Sequence, residues 1–300
     1  MNILITGGAG FIGSHLCNMS KGRPDKFVVV DNLACGKKSS IPSHVDFVED
    51  DLLTMDLVAL MKERNIEKVV HLAGCCGSVF ESRPIIAEAN ANIIATLKVI
   101  EACRITECKK MIFISTGAVY GHAAFLPTRE SSKLTPINSY GISNLAAEKY
   151  IKLYRDAYDF KYNILRVSNV YGIDPNGREM SVINRFMRLM QAGEVPKIHG
   201  TGEQTRDFVY VDDVVEAIFT ALDSRKNGTV QIGSGKGTSI LQLYREMAKQ
   251  LGFKEPPQMM FSNIREIPHS WFDISKAKEM LGWQPRTSLA AGIKKMCKCN

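Results

Sequence analysis

Gly7, Gly10 and Gly13 recur at intervals of three directly after an apolar run, Ile3 to Ile5. That spacing suits a phosphate cradle. The first glycine permits a tight strand-to-helix turn, the second admits a pyrophosphate close to the backbone, and the third lets the helix pack on the strand. The continuation Phe11-Ile12-Gly13-Ser14-His15-Leu16 reads as that helix. The phosphates would then lie at its N-terminus, where unpaired N–H groups and the helix dipole favour anions. A second apolar run, Phe27 to Val30, ends in Asp31-Asn32. A carboxylate there is placed to hold the adenosine ribose hydroxyls and would repel the extra phosphate of NADP. Glycines alone would be a weak signal, because any tight turn uses them. With the acid, the pattern predicts a dinucleotide site, with NAD preferred over NADP.

Such a cradle needs a sheet behind it. Strand-like runs at Ile3–Thr6, Phe27–Val30, Val45–Val48, Lys68–Leu72, Met111–Ser115 and Tyr162–Val167 alternate with helix candidates near 11–21, 54–64, 84–104 and 139–158. The alternation predicts an α/β protein with a doubly wound parallel sheet covered by helices on both faces. Beyond Gly172 the character shifts. Ile173-Asp-Pro-Asn-Gly177 is turn-rich, later strands are short, and Pro256-Pro257, Pro268 and Pro285 break up the tail. The expected division is a dinucleotide-binding domain of 1–171 plus about 206–232, and a smaller C-terminal substrate-binding lobe of about 172–205 and 233–300.

The chain of 300 residues is 45% hydrophobic and 23% charged, enough for a large core of ordinary globular composition. No stretch is long and apolar enough to span a bilayer, and residue 1 leads into a strand rather than a signal peptide, so a cytoplasmic location is expected. The eight cysteines include no Cys-x-x-Cys pair; Cys75-Cys76 are adjacent and Cys297-Lys-Cys299 sits near the end. Reduced thiols and no metal site are the expectation. The net charge of +7 is spread along the chain, which suits small phosphorylated ligands better than nucleic acid or a membrane surface.

A further strand, Met111-Ile-Phe-Ile114, delivers Ser115-Thr116-Gly117-Ala118-Val119-Tyr120-Gly121, followed by Pro136-Ile-Asn-Ser139-Tyr140-Gly141-Ile142-Ser143-Asn144 and Glu148. Other ordered features are Asp51-Leu52, His71-Leu72-Ala73-Gly74, Asn92 before Thr96, and Arg166-Val-Ser-Asn169-Val-Tyr171-Gly172. They continue through Gly200-Thr-Gly202-Glu-Gln-Thr-Arg206-Asp207 to Asp273-Ile-Ser-Lys-Ala and Leu281-Gly-Trp283-Gln-Pro285. In these motifs the whole chain resembles the extended short-chain dehydrogenase/reductase family, in its nucleotide-sugar epimerase and dehydratase branch.

The resemblance implies a Rossmann-type fold, NAD as cofactor, and oxidation of a sugar C4 hydroxyl. Tyr140, as tyrosinate, would remove the hydroxyl proton while hydride passes to the nicotinamide. Thr116 would share the substrate hydrogen bond; it is preferred over its neighbour Ser115 because its spacing to Tyr120 matches the family's catalytic Ser/Thr. Besides the glycines, cofactor contacts are implied at Phe11, Ile12, Asp31, Asn32, Asp51 and Leu52. Leu72, Ala73, Gly74, Asn92, Tyr140 and Asn144 complete that set. A nucleotide-diphosphate sugar, UDP-linked first and GDP- or dTDP-linked as alternatives, would meet Ser78, Thr116, Asn169, Ser181, Val182, Arg206 and Arg265. Arg206 could instead form a structural ion pair with Asp207 or Asp213. A homodimer is implied through the helices near 84–104 and 139–158.

One position departs from the family pattern Tyr-x-x-x-Lys: residue 144 is asparagine. The family's lysine binds the nicotinamide ribose and lowers the tyrosine pKa by its charge. Tyr140 and Asn144 are one helical turn apart and share a face. Asparagine keeps a hydrogen bond but supplies no charge. A tyrosine without such help titrates near ~10, which leaves roughly one in a thousand ionised at pH 7, an offset of about 4 kcal/mol. Lys149 falls about 180° around the helix from Tyr140, and Lys152 is also off that face. The cationic nicotinamide still favours tyrosinate.

Dehydrating relatives carry an Asp-Glu pair after the catalytic threonine, and decarboxylating ones a glutamate in this region; here the residues are Gly117-Ala118. That leaves 4-epimerisation as the expected reaction. The alternatives are 4-oxidation or reduction, another sugar modification such as dehydration with unfamiliar acids, or a weakly active protein that binds NAD and the nucleotide sugar. Cys75 and Cys76 are read as small packed thiols, and His71, His122, His199 and His269 as structural or surface residues.

Overall fold

The computed structural model describes residues 1–75, 84–179, 181–261 and 267–298. The N-terminal portion runs β1 (Asn2–Thr6), α1 (Phe11–Met19), β2 (Lys26–Asp31), β3 (Asp46–Glu49), α2 (Leu57–Glu63), β4 (Lys68–His71), α3 (Ile85–Ala89), α4 (Ala95–Ile105), β5 (Lys110–Thr116), α5 (Ser139–Tyr158) and β6 (Tyr162–Val167). It continues with β7 (Asn169–Tyr171), α6 (Val182–Gln191), β8 (Lys197–His199), β9 (Thr205–Arg206), β10 (Phe208–Tyr210), α7 (Val211–Asp223) and β11 (Gly228–Ile232). The remaining elements are β12 (Thr238–Ser239), α8 (Ile240–Leu251), β13 (Gln258–Met260), α9 (Ser275–Leu281) and α10 (Leu289–Lys298).

Seven strands form one parallel sheet in the order β11-β6-β5-β4-β1-β2-β3. The order reverses direction around β1, the arrangement of a doubly wound Rossmann-type sheet. Each central strand buries both faces. On β1, Ile3 and Ile5 pack with Leu16 of α1 and with Val214 and Ile218 of α7. Leu4 points the other way, toward Val99 and Ile100 of α4 and Ile151 of α5. Burial on both faces gives the strands their continuous apolar character, which is why the sequence displays them. A separate cluster around Phe186, Met190, Tyr244, Met247, Ile293 and Met296 joins α6, α8 and α10.

Local chemistry sets the boundaries. The helix expected from about 54 begins at Leu57, because Asp51–Thr54 forms a turn and the Asp56 carboxylate caps α2 by accepting the Ala59 N–H at 3.0 Å. The helix expected over 84–104 is α3 and α4 joined by a π-helical turn at Asn90–Ile94. Asn138 caps α5 by accepting the Gly141 N–H at 2.8 Å. The carbonyls closing α7 accept hydrogen bonds from two lysines: Lys68 Nζ reaches Leu222 O at 2.7 Å, and Lys110 Nζ reaches Ala221 O at 2.7 Å. Cations there complement the negative end of the helix dipole. No described helix is long and apolar enough to cross a membrane.

Candidate active site

The residues singled out from the sequence gather at one edge of the sheet. Gly7 follows β1, Asp31 ends β2, Leu72 to Gly74 follow β4, Thr116 ends β5, and Asn169 opens β7 just past β6. This is the C-terminal edge of a parallel sheet, where open α/β folds bind ligands.

The glycine loop fits a pyrophosphate. Gly7 has φ +74°, and a Cβ on it would lie 2.5 Å from the Ala73 nitrogen. A Cβ on Gly13 would lie 2.5 Å from Gly7 O. Gly10 is the N-cap of α1, and no side chain caps that helix among the described residues, so the first-turn amides at Phe11 and Ile12 face the cradle's open end. Asp31 closes one side: its carboxylate accepts the Ala9 N–H at 2.9 Å and the Leu33 N–H at 2.8 Å. Asn32 donates to Asp51 Oδ2 at 3.0 Å, and Asp51 Oδ1 accepts the Leu53 N–H at 2.8 Å. The Leu53 amide first, and the Asn32 amide second, hold the Asp51 carboxyl below its ordinary range. Leu52 itself is buried in the core. A residue not singled out from the sequence completes the clasp: Asn176 donates to Ala9 O at 3.0 Å and accepts from Ser40 Oγ at 2.9 Å.

The loop's tightness yields a prediction. Gly13→Ala should weaken NAD affinity by about tenfold or more, since the added methyl must push the Gly7 carbonyl out of the turn. Fluorescence titration with NAD measures this; unchanged affinity would remove the cradle from the account.

Behind the loop, His71 is fully buried between Thr6 Oγ1 at 2.6 Å and Thr96 Oγ1 at 2.9 Å. Burial pushes its pKa down to about 3. The unfolded imidazole titrates near ~6.5, so below that pH the unfolded chain binds a proton that the folded chain refuses. Stability is therefore full above about pH 6.5 and falls as the pH drops toward 3, by about 2 kcal/mol at pH 5 from this group. Urea unfolding at about pH 7.5 and about pH 5 should show His71→Asn losing that much less stability than the parent on acidification. Equal losses would place the imidazole in water.

Asn92 is buried and stitches three segments together. Its Oδ1 accepts the Cys75 N–H at 2.7 Å, and its Nδ2 donates to Ser143 Oγ at 2.9 Å and Cys75 O at 3.3 Å. Ser143 Oγ in turn donates to the Tyr140 carbonyl at 3.1 Å. Asn92 thus ties the segment after β4 to the first turn of α5, which carries Tyr140. Asn144 is also buried, and its amide donates to the same Tyr140 carbonyl at 2.9 Å. Tyr140 itself is partly exposed.

Thr116 and Ser115 point to opposite faces of β5, as alternation requires. Thr116 is partly exposed, and its hydroxyl accepts the Ala118 N–H at 3.1 Å. Ser115 is buried and donates to Glu148 Oε1 at 2.6 Å. Glu148 in turn accepts a bidentate pair from Arg166 at 2.8 and 2.6 Å. Arg166 also donates to the Tyr120 hydroxyl at 2.7 Å, with Gln231 at 2.8 Å from that oxygen. Burial pushes Tyr120 up to about 12. Lys152 spends its charge in this interior network, 3.5 Å from Glu148.

On the substrate side, Asn169 is exposed, while its backbone N–H donates to Asp207 O at 2.9 Å. Ser181 caps α6, accepting the Asn184 N–H at 3.1 Å, with Val182 next in the first turn. Asn184 donates to Gly172 O at 2.9 Å, anchoring that helix start. Arg206 Nη1 donates to Thr205 O at 2.9 Å and Ile267 O at 2.8 Å. The two acids considered as its partners have other duties: Asp207 accepts from Ser234, Gly235 and Phe272, and Asp213 from Arg286 and Thr287. Burial, outweighing those hydrogen bonds, raises the Asp207 pKa. Ser78, Cys76 and Arg265 lie outside the described residues. Among the described residues, no group of three or more His, Cys, Asp or Glu side chains could hold a metal ion.

Residues 3–233 match the NAD dependent epimerase/dehydratase family. A putative UDP-glucose 4-epimerase of Methanocaldococcus jannaschii is 38% identical over 98% of this chain and 96% of its own length. The UDP-glucose 4-epimerase of Mycolicibacterium smegmatis is 33% identical over 98% of this chain and 97% of its own. The crystal structure of UDP-glucose 4-epimerase with UDP-glucose from Thermotoga maritima has a TM-score of 0.95 at 36% identity, covering 99% of this chain and 98% of that one. With its glycine cradle, its parallel sheet and this match across most of its length, the chain belongs to the NAD-dependent epimerase/dehydratase family.

Proposed function

We propose that this chain interconverts a UDP-hexose and its C4 epimer, with NAD held in the glycine cradle. The observation that carries the reading is convergence: the cradle, Thr116 and Tyr140 share the C-terminal edge of one sheet, in a chain similar to UDP-glucose 4-epimerases. NAD, when bound, supplies the hydride acceptor and returns the hydride. Gly7, Gly10, Gly13, Phe11 and Ile12 would cradle its phosphates, and Asp31 its adenosine ribose. Tyr140 would take the O4 proton at its phenolic oxygen, and Thr116 would fix O4 by a hydrogen bond. Asn169, Ser181, Val182 and Arg206 would face the nucleotide-diphosphate end, with Arg206 pairing the diphosphate.

Packing argues against elimination. A Cβ on Gly117 would lie 2.8 Å from Phe272 Cζ; that ring is buried, and the Phe272 backbone N–H donates to Asp207 at 3.2 Å. An acidic side chain at position 117 therefore has no room without moving Phe272.

Proton NMR of the NAD-loaded protein with UDP-glucose, UDP-galactose and their N-acetyl counterparts tests the reaction. A second anomeric signal at constant mass is expected; saturated binding without turnover would make this a nucleotide-sugar-binding protein instead. The commitment of Asn144 to the Tyr140 carbonyl is what gives that second reading its basis.

We also infer a cytoplasmic homodimer formed through the helical segments near 84–104 and 139–158, where Ile94, Tyr150 and Leu153 are exposed. Leu153→Glu should shift the species seen in sedimentation from dimer to monomer. A parent that sediments as a monomer would overturn this assembly.

A further inference from the structure

Two of the cysteines, distant from any sequence motif, are brought together by the turn that ends α4. The chain leaves α4 at Ile105, passes through Glu107 at φ +55°, and returns so that the Cys108 N–H donates to Cys103 O at 2.8 Å. This closure spans the last helical turn and places the two side chains on one side. Both side chains belong to one buried cluster under α4, where each thiol shifts the other's pKa. Cys108 Sγ also lies 3.3 Å from Glu67 O and 3.5 Å from Lys110 O. Both cysteines line a surface cleft of about 600 Å³ shared with Lys109, Tyr154, Tyr158 and Lys161. Cys103 is 0% exposed and Cys108 is 8% exposed, so Cys108 is the residue nearer to solvent.

We propose that Cys103 and Cys108 form a thiol–disulfide exchange site for small disulfides, with Cys108 as the attacking sulfur and Cys103 as the resolving one. The electrostatics divide the roles in the same sense. The Cys103 thiol lowers the Cys108 pKa, with Lys68 adding a smaller effect, whereas the Cys108 thiol and burial push Cys103 well above the ordinary thiol range. Cys17 is a useful contrast: burial pushes it up to about 12, and its thiol donates to Gly8 O.

The exchange balances in two steps. The Cys108 thiolate attacks one sulfur of the small disulfide, forming a mixed disulfide as the other half leaves and takes the Cys108 proton. Cys103 sulfur then attacks Cys108 sulfur, forming the internal disulfide. The second small thiol leaves with the Cys103 proton. Two protein thiols are oxidised, and one small disulfide is reduced to two thiols. Because Cys103 lies against Cys108, the mixed disulfide should resolve rather than accumulate.

Glutathione disulfide is the probe. The folded chain is incubated with it, alkylated, digested with trypsin and mapped by mass spectrometry. The expected product links the peptide ending Cys103-Arg104 to the peptide Ile105 to Lys109, two hydrogens lighter and reversed by dithiothreitol. Exposed Cys35, modified by a single glutathionyl group, reports that the reagent is active. In Cys103→Ser, Cys108 should instead retain one glutathionyl group. A stable glutathionyl group on Cys108 of the parent chain, or both thiols unreacted while Cys35 is modified, would overturn the assignment. If Cys103→Ser does not fold, the parent map alone decides.

Discussion

Replacing Asn144 with lysine is expected to raise kcat at pH 7 by about tenfold to a thousandfold and to move the rising limb of the pH–rate profile toward lower pH. The parent side chain is neutral and its amide is spent on the Tyr140 carbonyl, so it steadies the helix turn without assisting ionisation. A cation on that face, one turn from Tyr140, would favour tyrosinate; a cation within a few ångströms shifts a neighbouring acid by about one to three pKa units. Position 144 is buried, so the lysine must extend along α5 toward the open edge. Steady-state epimerisation across pH measures the effect, with NAD titrations as the control for the cofactor site. A rate that stays flat while NAD still binds would mean that the positive charge reaches Tyr140 from elsewhere.

The second large effect is a loss. Tyr140→Phe should lower kcat by about a hundredfold to ten-thousandfold, the range typical of removing a positioned general base. Phenylalanine keeps the ring, and the α5 start is held independently by Asn138, Asn92 and Ser143, so folding and NAD binding should change little. Activity within a few-fold of the parent would assign the proton transfer to another group.

The two effects differ in how far the sequence foretold them. The glycine loop and Asp31 were legible because a tight turn, a close approach and a strand-end acid are local requirements with residue-specific solutions. The central strands were legible because both faces are buried. What escaped was assembled across the chain. Asn176 reaches Ala9 from beyond β7, and Glu148, Arg166, Tyr120 and Gln231 meet from four separate elements. Arg166 carried a faint signal, a charge inside an otherwise apolar strand, but its partners could not be read from that stretch. The π-helical turn around Asn92 left no mark in apolar periodicity either. The acids considered for Arg206 turned out to serve mainly backbone amides, and backbone partners have no sequence signature. The juxtaposition of Cys103 and Cys108 depends on a single left-handed residue, Glu107.

The central claim is transient oxidation at C4 with return of the same hydrogen to the opposite face of the sugar. Its most direct test is to incubate the NAD-loaded chain with UDP-glucose carrying deuterium at C4, and to locate the label in the product by NMR. The account predicts UDP-galactose with the deuterium retained at C4 and no uptake of hydrogen from water at any ring carbon. Epimer with the label washed out, or a product lighter by one water, would contradict it.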